Sequence, residues 1–241
     1  MTRRGRLALA LGLLAALGCH RTARPPAPGE TVVSDAQAIA VVARREAETP
    51  TMTATFQLTV HRPDGSEEGS RGAVVVTRPD RLRLQIFSFG VMTSYDYTVN
   101  GNRYRVRRPL DGSETIGRFD DAETSETGAF GPDLRPLFLP PAAAGSASAR
   151  DAGDHFVVAV AEQRGRREID VSKRDGSVTR EALYQDAAPR VVIDYGDYRF
   201  VDGAALPFVV EVTYPEKSLR LTIRVARYTR NQPVDPHLFE F

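Results

Sequence analysis

From Met52 to Arg227 the chain alternates apolar and polar residues with a period of two, over many short segments separated by turn chemistry. In residues 52–60, Met52, Ala54, Phe56, Leu58 and Val60 fall on one side. Thr53, Thr55, Gln57 and Thr59 fall on the other. Successive side chains of a strand point to opposite faces, so this pattern predicts half-buried strands. Pro63-Asp64-Gly65-Ser66 is a turn, with Pro presetting φ and Gly tolerating positive φ, and residues 71–78 form the return strand. After Pro79-Asp80, Leu82, Leu84 and Ile86 alternate with Arg81, Arg83 and Gln85. Residues 93–99 and 102–107 flank Asn100-Gly101, the strongest two-residue hairpin signal in the chain. Beyond His155, strands are expected over 156–161, 167–172, 178–184, 190–200, 207–214 and 218–227. About 11 strands in one antiparallel sheet follow, and a sheet that wide curls or closes.

A few stretches break the alternation. Residues 32–48 form the one convincing helix: Ser34 or Asp35 caps it, and Ala36, Ile39, Ala40, Val42 and Ala43 make a stripe at helical spacing. Thr49-Pro50 ends it. Phe87, Phe89, Val91 and Met92 interrupt the strands with an apolar stretch that carries a Gly turn signal. Residues 111–128 read as an acidic loop with a short strand near 115–119, residues 132–139 as a short helix, and residues 142–153 as a mobile Ala/Ser/Gly-rich loop. Gly196 suggests a bulge within 194–198. Leu238, Phe239 and Phe241 in the tail are expected to dock.

The N-terminus has its own logic. Arg3, Arg4 and Arg6 precede an apolar run of about 11 residues, short of the roughly 20 needed to span a bilayer. A basic start, a short apolar run and small residues describe a secretory signal peptide. Ala16-Leu17-Gly18-Cys19 resembles the bacterial lipobox, with Ala and Leu in reversed order. That resemblance implies cleavage before Cys19, lipidation of its sulfur and acylation of the new amino group. Two or more acyl chains anchor a protein stably where one does so marginally. His20 after the cysteine implies the outer membrane by bacterial sorting rules. Ordinary secretion with Cys19 as a free thiol is the competing reading. The Pro-rich stretch to Glu30 reads as a semi-rigid linker. The expected organisation is a signal peptide over 1–18, a lipidated N-terminus and linker over 19–31, and one β domain over 32–241.

Formal net charge is +1, without a basic stripe, so nothing points to nucleic acid. His20, His61, His155 and His237 show no metal-binding spacing, and no nucleophile elbow or phosphate loop occurs. No cofactor and no catalytic constellation are expected. The run Asp120-Asp121-Ala122-Glu123 reads as a solvated loop.

The order of elements resembles the LolA/LolB-like lipoprotein carriers. Arg81-Leu82-Arg83-Leu84-Gln85-Ile86, the turn at Phe89-Gly90 and Tyr97-Thr98-Val99-Asn100-Gly101-Asn102-Arg103-Tyr104 look like the family's central strands. Tyr198-Arg199-Phe200-Val201-Asp202-Gly203, Leu206-Pro207, Leu221-Thr222-Ile223 and the segment from Asn231 look like its C-terminal pattern. The resemblance implies a mainly β fold, an unclosed antiparallel β-barrel (half-barrel) with a helix lid. It implies an apolar cavity that holds acyl chains, lined by Phe56, Leu58, Leu82, Leu84, Ile86, Tyr97 and Val99. It also implies a tip loop, at Phe87, Phe89, Val91 and Met92, that inserts cargo into the membrane. A monomeric, non-enzymatic lipoprotein at the periplasmic face of the outer membrane follows, with acyl chains of lipids or lipoproteins and a periplasmic lipoprotein carrier as partners. The alternative is an anchored interaction protein of the same fold with a filled interior, serving envelope assembly or stress sensing.

Overall fold

A computed structural model of the chain describes residues 29–88, 92–119, 138, 147–162 and 165–241. The signal-peptide and lipidation expectations, Cys19 included, lie outside the described residues, as do Phe89, Val91 and most of 111–146 beyond Phe119. Helix α1 (Asp35–Ala47) is followed by strands β1 (Thr51–His61), β2 (Glu67–Thr77), β3 (Arg81–Ser88), β4 (Met92–Asn100), β5 (Arg103–Arg108) and β6 (Ser113–Arg118). Then come β7 (Ala147–Asp151), β8 (His155–Glu162), β9 (Gly165–Ser172), β10 (Val178–Tyr184), β11 (Pro189–Val201), β12 (Ala204–Tyr214) and β13 (Leu219–Arg230).

All 13 strands join one antiparallel sheet in the order β6-β5-β4-β3-β2-β1-β13-β12-β11-β10-β9-β8-β7. The chain meanders outward from β1 to one edge, β6, and returns from the other edge, β7, inward to β13, which pairs with β1. No pairing joins β6 to β7 among the described residues, so the sheet is open. The expected count of about 11 is corrected to 13. β7 forms inside the stretch read as a mobile loop, because its small residues pair with β8 through Ala147↔Val160 and Asp151↔Phe156. Such a strand has no apolar alternation to announce it and is held by its neighbour's backbone.

Alternation in register puts one apolar face on one side of the sheet. Val76, Leu82 and Val99 lie in line across β2, β3 and β4, as do Val74, Leu84 and Tyr97. Leu58 of β1 pairs with Ile223 of β13, and Val212 of β12 with Leu221 of β13. These residues form the larger core cluster, and a second cluster joins Val32, Ala38, Val41 and Val42 to Phe156, Val158, Val160 and Ile169. Helix α1 therefore packs against β7 and β8. Helix α1, the expected lid, lies over one flank of the face, where its apolar stripe meets β7 and β8. The helix starts at Ser34, whose hydroxyl accepts from the Gln37 N–H. The bulge expected at Gly196 is also corrected. Pairing keeps its register from Gly196↔Val209 to Tyr198↔Pro207, and the irregular residue is Asp197, at φ 50°.

The tail docks as expected. A 3-10 turn at Pro236–Phe239 packs on β3 and β4, with Phe239 buried. The Phe241 ring lies 5.3 and 5.2 Å from the Arg103 and Arg105 guanidiniums. Those arginines alternate with the core residues Tyr104 and Val106, so the tail covers the opposite face of the sheet.

Two contacts hold the centre. Phe56 lies across the sheet from Gly72, and a Cβ at Gly72 would come within 2.3 Å of the Phe56 ring and 3.0 Å of the Gln85 carbonyl. Buried Arg230 donates to the carbonyls of Glu48 (2.8 Å), Val201 (3.2 Å) and Asp202 (3.1 Å) and to Thr49 Oγ1 (3.0 Å). One guanidinium thus ties the end of α1 to β13 and to the β11–β12 turn. Gly72→Ala is expected to cost about 1–3 kcal/mol by overpacking, read from the urea midpoint. Gly69→Ala, with nothing within 4 Å of the new carbon, serves as the near-neutral control. Arg230→Met is expected to cost about 1.5–3 kcal/mol and to speed amide exchange in the last turn of α1. An unchanged exchange rate there would mean the guanidinium does not hold that turn.

Candidate functional site

Where the end of α1 meets the larger core cluster, the apolar face is not filled. A cavity of about 90 Å³ remains, several times the roughly 10–15 Å³ that one water requires. Its walls come from the central strands: Met52, Ala54 and Phe56 of β1, Val74 of β2, and Ile223 and Val225 of β13. Leu206, Pro207 and Val210 of β12 close another side. Phe138, which also packs on the core cluster, is the one apolar wall residue outside the sheet among the described residues. The void follows from local sequence. Ala54 withholds bulk on β1, while the Phe56 ring settles into the space that Gly72 leaves on β2.

The polar part of the lining is Arg45, Thr49, Arg78, Tyr195 and Tyr228. Arg45 reaches from α1 to Glu181 of β10 with Nη1–Oε1 at 2.5 Å. Glu181 is fully buried, and it accepts as well from the Tyr195 hydroxyl (3.0 Å) and from Arg167 Nη1 (3.4 Å). Arg167 Nε also lies 3.4 Å from Glu162 Oε1. The Arg45 guanidinium sits 4.6 Å from the Tyr195 ring centroid. This network lies where the two apolar clusters adjoin, and Tyr195 packs against both.

Burial is the largest influence on these groups. It works against the charge of Arg45, but Tyr195 and Glu181 outweigh it, and the Arg45 pKa rises well above its ordinary value. Burial pushes the Tyr198 phenol up to about 12, and Tyr195 and Tyr228 are raised further in the same direction. The phenols are neutral donors at physiological pH. Tyr228 donates to the Pro207 carbonyl at 2.7 Å, and Tyr198 donates to that of Val178. Arg78 Nε donates to the Thr49 carbonyl at 3.2 Å.

The seven residues expected to line a cavity all lie on this face and are buried. Phe56 lines the void. Leu58, Leu82, Leu84, Ile86, Tyr97 and Val99 pack into the core beside it, with Leu82, Tyr97 and Val99 at 0% exposure. Of the tip residues, Phe87 is half-buried and Met92 is 50% exposed, while Phe89 and Val91 lie outside the described residues. Sequence reasoning missed Arg45, Arg78, Tyr195 and Tyr228. Met52 and Ala54 were visible as neighbours of Phe56 on the same alternating stripe. Nothing local marks the arginines, since Arg45 meets its carboxylate 136 positions away. Among the described residues no cluster could hold a metal ion, and no helix is long and apolar enough to cross a membrane.

No family model matches the sequence, and no curated protein matches it. Solved structures do match in shape. A LolA superfamily protein from Nitrosomonas europaea aligns at TM-score 0.63 and 8% identity, over 87% of this chain and 99% of that one. A DUF1329 family protein from Desulfovibrio piger aligns at TM-score 0.64 and 10% identity, over 84% and 95%. A domain from Vibrio parahaemolyticus assigned to outer membrane lipoprotein sorting aligns at TM-score 0.59 and 10% identity, over 84% and 95%. These likenesses span nearly the whole of each relative and rest on backbone architecture rather than on shared residues. Over the described residues, the open 13-stranded sheet with its flanking helix shares its overall fold with these three structures, the LolA superfamily protein among them.

Proposed function

We propose that this chain binds an acyl chain of a lipid or lipoprotein and works as a lipid-anchored carrier or receptor at the periplasmic face of the outer membrane. The observation that carries the reading is the void on the apolar face, walled by Met52, Ala54, Phe56, Val74, Ile223 and Val225. Each methylene moved there from water contributes about 0.8 kcal/mol, so binding needs no covalent step and no cofactor. The cavity takes the end of a chain, and deeper penetration displaces Phe138 from the wall. The fold shared with a lipoprotein-sorting domain supports the same reading. Cys19 supplies the anchor in this proposal. Met92, paired with Ser88 at the β3–β4 end of the sheet, belongs to the tip that meets the membrane in this proposal. The tight packing of Leu82, Tyr97 and Val99 favours a second reading, an anchored interaction protein whose interior is largely filled.

The test uses the chain from residue 19 onward with Cys19→Ala, so that it carries no acyl chain of its own. Titration with an apolar fluorescent probe is expected to saturate, and a diacylated lipopeptide displaces the probe while its deacylated form does not. Val225→Trp, which fills the void opposite Phe56, weakens probe binding at least about tenfold, or 1.4 kcal/mol, in a protein that remains folded. Absence of probe binding by a folded, monodisperse sample leaves the second reading. Met92→Glu is expected to leave the thermal midpoint within about 2 °C of the parent, as for an exposed site, and to reduce binding to phospholipid vesicles. A large drop in midpoint would instead make Met92 part of the core.

A further inference from the structure

Along the chain the arginines are scattered, and pairing with β1 gathers four of them on one face of the sheet. The side of β1 that turns away from the core presents Thr53, Thr55, Gln57, Thr59 and His61, which alternate with buried Ala54, Phe56, Leu58 and Val60. Residues directly opposite in an antiparallel pair share a face. Gln57 lies opposite Arg71 of β2 on one side and Arg224 of β13 on the other. Arg227 lies opposite Thr55, and Arg220 opposite His61. All four arginines are exposed.

Among the described residues none of the four makes an ion pair. Two carboxylates stand beside them. Glu67 is bound to His61 at 2.9 Å, and Glu211 faces Thr222, between Arg220 and Arg224, without an ion pair to either. Asp197 is held by Arg199 at 2.6 Å, with Arg224 a weaker influence on its charge. The patch is therefore cationic although the whole chain carries a formal net charge of only +1, so its attraction for an anion is local. It also lacks an apolar anchor. The exposed large hydrophobics among the described residues are Val33, Met92, Leu110, Ile116 and Phe200, and none of them lies on β1, β2 or β13. Interfaces between proteins centre on buried aromatic and aliphatic side chains, whereas guanidinium forks by themselves suit an array of phosphates.

The patch borders the proposed tip. Arg71 pairs with Phe87, and the next residue of β3, Ser88, pairs with Met92. Arg71 and Arg224 thus stand one residue, about 3.4 Å, in from the row that holds Met92. Arg220 pairs with His61, the last residue of β1, at the same end of the sheet. We infer that this face binds the anionic phosphates of a phospholipid bilayer, with Arg71, Arg220 and Arg224 at head-group level while Met92 enters the apolar layer. The inference rests on the tip reading above and adds the charge class of the lipid that this end of the protein selects. An apolar insertion with cations beside it holds a peripheral protein on an anionic membrane, and each basic residue close to such a surface strengthens partition about fivefold.

The test measures partition of the chain from residue 19 onward with Cys19→Ala onto two kinds of vesicle, phosphatidylcholine alone and phosphatidylcholine with about one-third phosphatidylglycerol. The parent is expected to prefer the anionic vesicles at least about tenfold at low ionic strength, and the preference falls as salt rises. Replacing Arg71, Arg220 and Arg224 together by Gln lowers that preference at least about tenfold and leaves binding to neutral vesicles as before. Met92→Ser weakens binding to both vesicles and keeps their ratio. The control replaces Arg166, Arg174 and Arg180 by Gln; it makes the same change in net charge among arginines that face carboxylates elsewhere, and it keeps the preference. The ratio of two vesicles on one variant is insensitive to a general loss of stability. Equal partition of the parent onto both vesicles overturns the inference and leaves the tip standing. A preference untouched in the Arg71, Arg220 and Arg224 variant, or lost equally in the control, overturns the assignment to this face. Release from the vesicles by soluble polyglutamate at equal charge concentration overturns the choice of lipid in favour of an acidic protein. Binding to neither vesicle, by a folded sample, overturns the tip reading together with it.

Discussion

A sheet of 13 strands carries a continuous apolar face on one side, and the described part of the chain has a single α-helix with which to cover it. Everything else in the architecture follows from that mismatch. A sheet of this width relieves it by curling, which brings the apolar residues of distant strands towards one another. The two apolar clusters divide the task. One is closed by α1 lying on β7 and β8, and the other is closed largely by the sheet's own aromatic and branched side chains. Close packing succeeds around Leu82, Tyr97 and Val99. It fails near Ala54, whose small side chain leaves room beside the Phe56 ring.

The buried ion network settles where α1 sits. Two apolar surfaces in contact can slide, because burial of area has no direction. Arg45, Arg167, Glu181 and Tyr195 add direction: fully buried Glu181 keeps its charge satisfied only while the helix arginine and the strand arginine both point at it. Breaking such a set strands a charge, which is far more costly than the set is stabilising. Arg230 does the same for the chain leaving α1, collecting three carbonyls from two separate segments, the end of the helix and the β11–β12 turn. The helix is thereby held at the edge of the cavity rather than across it.

Much of this was legible from local pattern. The strands from Met52 to Val60, the Asn100-Gly101 hairpin and the helix capped by Ser34 appear as their side-chain periods and turn residues predict. The face on which Phe56, Leu58, Leu82, Leu84, Ile86, Tyr97 and Val99 lie was legible too, since alternation assigns faces without reference to topology. Strand β7 was not, because Ala147–Asp151 has no apolar alternation and exists as a strand through pairing with β8. The irregularity near Gly196 was placed one residue early and misread as an insertion. The backbone turns at Asp197 instead, and the ladder runs on in register.

What the sequence by itself determined is the set of half-buried strands, their apolar side and the presence of one amphipathic helix, all properties of periods of two and 3.6 residues. What only the tertiary structure decided is which apolar residues fill the interior and which border a void. Phe56 and Leu58 have the same pattern on β1, yet Phe56 lines the cavity and Leu58 does not. That difference depends on the partner across the sheet, on where α1 ends, and on contacts such as Arg45 with Glu181 that join residues 136 positions apart. A local period assigns a side chain to a face, but only packing between distant segments decides what that face touches.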